Sequence, residues 1–345
     1  EHPQSMGMLG MHGTYWANMV MHYSDLVVAI GARFDDRVTG KVSEFCPHAK
    51  VIHIDIDPTS IRKNVNVDIP IVGDCKMVLR ELIQILRATV NGDQRELRKP
   101  WWNQIREWQQ ANPLAYQQEA DGPIKPQHVI QRLYELTKDR DPIVSTDVGQ
   151  HQMWAAQYFK LAKPNRWLTS GGLGTMGFGF PAAMGAQAAF PGRLVLCIAG
   201  DGSIQMNMQE MATAVVHKLP VKIIILNNRF HGMVRQWQDL FYEGRYASSD
   251  LETTPDFVKL AEAYGAVGLR ASKPSEIDAV LKEAIAVNKP VIVDVPTYRY
   301  ENVYPMIPAG GCNHEMILED PPALRNKQSG AGQVTPKDSD TILTA

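Results

Sequence analysis

The strongest chemical signal in the sequence is a pair of polar motifs that each end an apolar stretch of strand length. Gly200-Asp201-Gly202-Ser203 ends one such stretch, and Asn227-Asn228 ends the next. Open α/β sheets bind ligands at the carboxyl ends of their strands. The glycines allow backbone N–H groups to approach a phosphate, a helix opening at Ser203 favours an anion, and Asp201 and Asn228 offer oxygen ligands for Mg²⁺. Gly-Asp-Gly alone would be typical of a tight turn, but the combination predicts a diphosphate and magnesium site.

The elements that must position these motifs alternate between strands and helices. Buried strands are predicted at Pro142–Gly149, Arg193–Gly200, Val221–Asn228 and Pro290–Val295. Helices are predicted at Pro126–Leu136, Pro181–Phe190, Gln205–Val216, Pro255–Tyr264 and Pro274–Val287. This alternation predicts a doubly wound parallel sheet.

An earlier region repeats the pattern on a smaller scale. Strands are predicted at Asp25–Gly31 and Val51–Asp57, and a helix at Cys75–Leu86. A helical stripe follows, which we interpret as a packing face: Trp101, Trp102, Ile105 and Trp108. The fold class is therefore α/β, with two doubly wound parallel-sheet domains. Its predicted parts are a partial domain at 1–90, a connector at 91–123, a domain at 124–304 and a tail at 305–345, polar over Lys327–Lys337.

Composition excludes several classes of protein. The 345 residues are 44% hydrophobic and 21% charged, with a net charge of -2, which argues against a disordered chain and against a nucleic-acid-binding surface. No apolar run approaches the length of a membrane span. The cysteines are far apart and are expected to be buried, reduced thiols: Cys46, Cys75, Cys197 and Cys312. The polar start of the sequence lacks a signal peptide, so we expect a cytoplasmic protein.

Longer motifs around these positions resemble a known family. The chain is similar to the catalytic large subunits of bacterial acetolactate synthases (acetohydroxyacid synthases), which use thiamine diphosphate. The resemblance runs from about Met8 to Pro305. The motifs that carry it are Met11-His12-Gly13, Gly31–Gly40, Ile54–Pro58, Val148–Gln152, Gly171–Gly177 and Asn227–Trp237.

The resemblance implies three cofactors. The residues that would bind thiamine diphosphate are Gln150, His151, Gly174, Met176, Gly202, Ser203 and Met233. The Mg²⁺ ligands would be Asp201, Asn228 and the backbone carbonyl of Phe230. The residues that would bind FAD are His12, Gly13, Gly31, Arg33, Asp55, Ile56 and Asp74.

Three residues would act in catalysis. Met176 would pack under the bent cofactor, as a flexible apolar side chain can. Trp237 would line the substrate pocket, and its polar neighbours suit a helix beside a cleft. Arg37 would face a substrate carboxylate. Without the resemblance, Met176 and Trp237 would be interpreted as core residues and Arg37 as part of a surface ion cluster.

The implied reaction is the decarboxylation of pyruvate and its condensation with a second pyruvate or with 2-oxobutanoate, in valine, leucine and isoleucine biosynthesis. The products would be 2-acetolactate and 2-aceto-2-hydroxybutanoate. The implied assembly is a homodimer or tetramer of the full chain, with a regulatory small subunit. Two alternatives stay open: another thiamine diphosphate-dependent 2-oxo acid oxidase or decarboxylase, and a non-catalytic nucleotide-binding fragment.

One residue of the family has no match here. The glutamate that activates the cofactor belongs to an N-terminal domain, and Glu44, Glu81 and Glu210 have the wrong context. We therefore expect the chain alone to be inactive. We also expect its first domain to expose apolar sheet surface, since its opening strands are absent.

Overall fold

The computed structural model describes residues 2–90, 92–322 and Leu324. They divide into two compact units. The first unit comprises His2–Ala115 and Tyr304–Leu318, and the second comprises Tyr116–Val303 with the described residues from Glu319 onward. Asn91, which begins the predicted connector, and the polar stretch Lys327–Lys337 lie outside the described residues.

The first unit is built on a three-stranded parallel sheet in the order β1-β2-β3. Its elements are α1 (Tyr15–Tyr23), β1 (Leu26–Ile30), α2 (Asp36–Thr39), β2 (Lys50–Asp55), β3 (Ile69–Val72), α3 (Cys75–Thr89) and α4 (Arg95–Ala111). The two predicted strands and the predicted helix are confirmed. Strand β3 was not predicted, because it is short and contains Pro70, which an edge strand tolerates.

One face of this sheet is packed and the other leaves apolar side chains in solvent. Val27 and Ala29 of β1 are buried, whereas Leu26, Val28 and Ile30 are between 40% and 50% exposed. Helix α3 has no buried residue. The expected apolar sheet surface is therefore present in this unit.

The tryptophan stripe lies on α4, within the first unit. Ile105 is buried, and the Trp108 ring stacks on Tyr23 of α1 with centroids 5.7 Å apart. The stripe is thus a packing face, as interpreted from the sequence.

Residues Tyr304–Leu318 fold against the first unit, although the sequence analysis assigned 305 onward to a tail. Backbone bonds hold them: the Ile307 N–H donates to the Met11 carbonyl and the Lys41 N–H to the Gly311 carbonyl. Such non-local bonds leave no periodic pattern in the sequence.

The second unit contains a six-stranded parallel sheet in the order β5-β4-β6-β7-β9-β8. Its strands are β4 (Ile143–Thr146), β5 (Trp167–Leu168), β6 (Val195–Gly200), β7 (Lys222–Asn227), β8 (Val267–Arg270) and β9 (Val291–Pro296). Its helices are α5 (Pro126–Thr137), α6 (Gln150–Tyr158), α7 (Gly179–Ala189), α8 (Asp201–Ile204), α9 (Met211–Val216), α10 (Gly232–Phe241), α11 (Phe257–Ala263) and α12 (Ile277–Ala286).

Alternate residues of the strands feed two separate cores, which identifies a doubly wound sheet. Val144, Leu196 and Ile224 pack in one core with residues of α5, α6 and α12. Ile143 and Cys197 pack in the other, with residues of α7, α9 and α11. The four predicted strands are confirmed at the centre, and the short edge strands β5 and β8 were not predicted.

The predicted helix Gln205–Val216 is wrong as a continuous element. The chain forms α8, a 3₁₀ turn at Met208–Glu210 and then α9. Asn207 interrupts it, because its side-chain amide donates to the carbonyl of Gly177 at 2.6 Å. Asparagine competes with helix bonding in this way.

The cysteines follow the expectation with one exception. All four are free, and Cys46, Cys197 and Cys312 are buried, but Cys75 is exposed. Cys75 begins α3, which lies on the surface of the first unit. Within the described ranges, no helix combines the length and apolar character that crossing a membrane requires.

Candidate cofactor site

A cavity of about 370 Å³ lies in the second unit, where the loops after β4, β6 and β7 meet. Parallel strands bring these loops together because their carboxyl ends share one edge of the sheet. The cavity gathers all the residues predicted for the diphosphate, the metal and Met176: Gln150, His151, Gly174, Met176, Asp201, Gly202, Ser203, Asn228, Phe230 and Met233. Their roles stay predictions, but their convergence is a feature of the fold.

Asp201 has the electrostatics of a cation ligand. It directly follows β6 and is 1% exposed. Burial, with a smaller contribution from the charge of Asp294, raises the pKa of its carboxyl to about 7, although backbone N–H groups of Asn228 and Gly202 oppose the shift. Its Oδ2 is buried and has no hydrogen-bond partner among the described residues. A buried carboxylate oxygen without a partner is costly, and a bound cation would remove that cost.

Asn228 lies next to Asp201, since its backbone N–H bonds to the Asp201 carboxylate. Its side-chain Oδ1 accepts the Phe230 N–H at 3.1 Å. The described residues contain no group of three or more His, Cys, Asp or Glu side chains that could hold a metal. One carboxylate, one amide and one backbone carbonyl would form an incomplete magnesium shell, which diphosphate oxygens and water would complete.

His151 is a neutral imidazole at the start of α6. Burial lowers its pKa to about 3. Its Nε2 lies 3.5 Å from the Ser203 hydroxyl, which in turn accepts the Gly200 N–H at 3.0 Å. A Cβ on Gly200 would lie 2.8 Å from the His151 ring, and one on Gly202 would lie 2.8 Å from the His231 ring. The glycines of the motif therefore make room for imidazole rings beside the cavity.

Asp147 is a residue that the sequence analysis missed. Its side chain is fully buried after β4. Its Oδ1 accepts the N–H groups of Val148 and Gly177 at 2.8 and 2.9 Å, and its Oδ2 accepts the Gly179 N–H at 3.0 Å. These bonds fix the loop that places Met176, half-buried, in the cavity. An Asp directly after a strand and before Val-Gly was a signal of the same kind as Asp201.

Trp237 does not lie among the residues that line this cavity. It is half-buried on α10 and contacts Phe241 edge-on, with ring centroids 5.3 Å apart. Its neighbours Arg235 and Gln236 are buried, at 0% and 2% exposure, so these polar flanks do not face solvent. The predicted place of Trp237 in a substrate pocket stays a prediction.

Arg37 belongs to the first unit. It forms an ion pair with Asp36 at 3.0 Å, and both side chains are more than half exposed. The two residues line a small cleft together with Met11, Gly40 and Pro308. The predicted contact with a substrate carboxylate stays a prediction.

Four residues predicted for FAD lie at the carboxyl edge of the three-stranded sheet. Gly31 follows β1, Asp55 ends β2 and Ile56 follows it, and Asp74 lies two residues after the end of β3. Gly31 has φ +61° and open space where a Cβ would stand, and Ile56 is 71% exposed. Asp74 also has a structural task, because it accepts the Lys76 and Met77 N–H groups and so caps α3.

The other residues predicted for FAD are close by in the first unit. Arg33 pairs with Asp35 at 3.0 Å and its side chain is 58% exposed. His12 is buried, with its Nδ1 3.2 Å from the Pro305 carbonyl. A Cβ on Gly13 would lie 2.7 Å from the Met8 carbonyl oxygen, so packing within the chain already requires this glycine.

Comparison with known proteins agrees with this geometry. Residues 147–295 match "Thiamine pyrophosphate enzyme, C-terminal TPP binding domain", and residues 1–82 match "Thiamine pyrophosphate enzyme, central domain". The chain is 51% identical over 320 residues to the acetolactate synthase isozyme 3 large subunit of Escherichia coli. The aligned residues are 92% of this chain and 55% of that protein. It is 51% identical over 319 residues to the acetolactate synthase large subunit of Haemophilus influenzae, with the same coverage of 92% and 55%.

A mycobacterial relative gives the same result. The acetolactate synthase of Mycobacterium bovis is 49% identical over 321 residues, which are 92% of this chain and 52% of that protein. The chain thus spans about half the length of the curated relatives it matches. It belongs to the thiamine pyrophosphate enzymes, whose central and C-terminal domains it matches, and it is similar to acetolactate synthase large subunits.

Proposed function

We propose that the second unit provides the diphosphate and magnesium half of an acetolactate synthase active site. The observation that carries the proposal is the unpartnered, buried Oδ2 of Asp201 in a cavity that also contains Asn228 and Met176. A cation beside Asp201 would satisfy this oxygen and would hold a diphosphate against Gly202 and Ser203.

Each residue then has a definite task. Asp201, Asn228 and the Phe230 carbonyl would ligate Mg²⁺. Neutral His151 would offer a hydrogen bond without adding charge, and Met176 would pack against the cofactor rings. When bound, thiamine diphosphate supplies the electron sink for decarboxylation, whereas the protein supplies binding and orientation.

For the whole protein we propose the reaction named in its relatives. Pyruvate would be decarboxylated and joined to a second pyruvate or to 2-oxobutanoate, a cytoplasmic step of branched-chain amino-acid synthesis. The first unit would bind FAD, because Gly31, Asp55 and Asp74 share the carboxyl edge of its sheet. Assembly as a homodimer or tetramer, with a regulatory small subunit, belongs to the same proposal.

Calorimetric titration of the chain with thiamine diphosphate tests the site. Binding should require Mg²⁺ and disappear with EDTA. Asp201→Asn keeps the shape of the side chain but removes its charge, and should weaken binding at least about tenfold, or roughly 1.4 kcal/mol. The control is Asp139→Asn, at an exposed carboxylate outside the cavity. Equal binding with and without Mg²⁺, or an unchanged affinity in Asp201→Asn, would contradict the assignment.

A further inference from the structure

We infer that Gln236 is a positioning residue that, through Gln150, determines which atom of the Asn228 amide faces the metal. The inference rests on the proposed function, because it concerns the metal ligand of that site. It adds a residue on α10 that does not line the cavity.

The chain of contacts begins at the backbone of Val303. The Gln236 Nε2 donates to the Val303 carbonyl at 3.0 Å, and the Val303 N–H donates to the Gln236 Oε1 at 2.9 Å. This double pairing fixes the amide, since exchanging its oxygen and nitrogen would place N–H against N–H and oxygen against oxygen. Gln236 therefore presents an acceptor towards Gln150.

Gln150 inherits its orientation from this acceptor. Its Nε2 donates to the Gln236 Oε1 at 2.9 Å and to the Glu301 carbonyl at 3.2 Å. Two acceptors engage both hydrogens of the amide nitrogen. The remaining atom, Oε1, can only accept a hydrogen bond, and it faces Asn228.

Asn228 is the last side-chain amide of a relay that runs from Gln236 through Gln150. Its Nδ2 donates to the Gln150 Oε1 at 3.2 Å, which leaves Oδ1 on the opposite side, where it accepts the Phe230 N–H. If the amide were reversed, its NH₂ group would face both the Phe230 N–H and the cation. An amide NH₂ group only donates hydrogen bonds, so it cannot ligate Mg²⁺. The three amides are between 2% and 6% exposed, so water does not compete for these bonds.

This bonding also bears on Gln150 itself. Both of its amide hydrogens already bond to protein acceptors, so its side chain meets a diphosphate only by giving up one of those bonds. The side chain of Gln150 is therefore placed to orient Asn228. The neighbouring backbone, His151 and Ser203 would then contact the diphosphate.

The test measures Mg²⁺ affinity by titrating the metal into the full chain with saturating thiamine diphosphate. Gln236→Leu should weaken Mg²⁺ binding about tenfold, the range for a group that orients a ligand. The matched control is Gln187→Leu. Gln187 is 1% exposed and donates to the carbonyls of Phe190, Pro191 and Arg193, outside the cavity. The Gln187→Leu variant should be less stable but should keep its Mg²⁺ affinity.

A second background separates orientation from general damage. In Asn228→Asp either orientation presents an oxygen to the metal, and a carboxylate oxygen faces the Gln150 Oε1. Adding Gln236→Leu to that variant frees Gln150 to turn its amide hydrogens towards the carboxylate, so Mg²⁺ binding should not weaken. An equal loss in both backgrounds, or no loss in either, would overturn the inference.

A measurement without ligand distinguishes this inference from the proposed function. Side-chain ¹⁵N resonances of Gln150 and Asn228 should show amide protons protected from exchange in the unmodified chain and unprotected in Gln236→Leu. If the unmodified chain binds no Mg²⁺ or thiamine diphosphate, the proposed function fails, whereas protons unprotected in both proteins would overturn the relay itself.

Discussion

Replacing Asp147 by asparagine tests whether a buried carboxylate holds the loop that carries Met176. The asparagine oxygen can keep the bonds from Val148 and Gly177, which share Oδ1, but the amide nitrogen must then face the N–H of Gly179. One buried N–H left without an acceptor costs about 1–3 kcal/mol. Burial also raises the pKa of Asp147, because it disfavours the charged carboxylate. Replacing the carboxylate by a neutral amide removes that desolvation cost and offsets part of the lost stability. We therefore expect a net destabilisation of about 1–2 kcal/mol.

The same substitution should affect two ligands differently. Affinity for thiamine diphosphate should fall about five- to thirtyfold, since the displaced loop carries Met176, which we propose packs against the cofactor rings. Affinity for inorganic pyrophosphate with Mg²⁺ should stay within about twofold, because Gly202 and Ser203 belong to a different loop. Urea denaturation and calorimetry measure these quantities, with Asp139→Asn as the exposed control. Wild-type stability together with wild-type thiamine diphosphate affinity would refute the reasoning.

Glycine, histidine and the isolated chain offer further tests. Gly179→Ala should destabilise the second unit, because its Cβ would lie 2.5 Å from the Asp147 backbone nitrogen. Gly185→Ala, which has open space in the same helix, should stabilise the unit by about 0.5–1 kcal/mol. Urea denaturation measures both. Burial lowers the pKa of His151 to about 3, so the stability of the neutral form is complete above the unfolded pKa near 6.5 and is lost as pH falls, by up to about 5 kcal/mol. His151→Gln should show a shallower loss of stability in acid denaturation, and equal slopes would contradict this. The purified chain with thiamine diphosphate, Mg²⁺, FAD and pyruvate should form no measurable acetolactate, because it has no match for the activating glutamate; robust turnover would contradict this.

The central strands of the larger sheet could be predicted because they are buried on both faces. Such strands are continuous apolar runs, and Gly200 and Gly149 end or follow two of them. Strands β5 and β8 could not, since a two-residue or a half-buried four-residue segment contains too little pattern. The break at Asn207 depends on a carbonyl 30 residues away, which no local propensity encodes.

Some residues of the candidate site could likewise be placed from the sequence, and others could not. Asp201, Asn228 and Met176 could be placed together because the topology of a parallel sheet brings strand ends to one edge. The burial of the polar neighbours of Trp237 could not be predicted, because polar and charged side chains are mostly exposed. Arg235 is fully buried on the same helix, where its guanidinium pairs with Asp239 and donates to the Glu301 carbonyl. Burial of a charged group depends on partners that meet only in the folded chain.

Asp147 and Asp201 differ in how completely the protein satisfies their carboxylate oxygens. Each follows a central strand, each is almost fully buried, and burial raises the pKa of each. The Asp147 oxygens accept three backbone N–H bonds, so both oxygens have hydrogen-bond partners within the protein. Asp201 also accepts backbone bonds, yet its Oδ2 has no partner in the described part of the chain. The same position in the fold therefore produces a loop anchor where the acceptors are satisfied, and it supports the proposed cation site where one acceptor is left open.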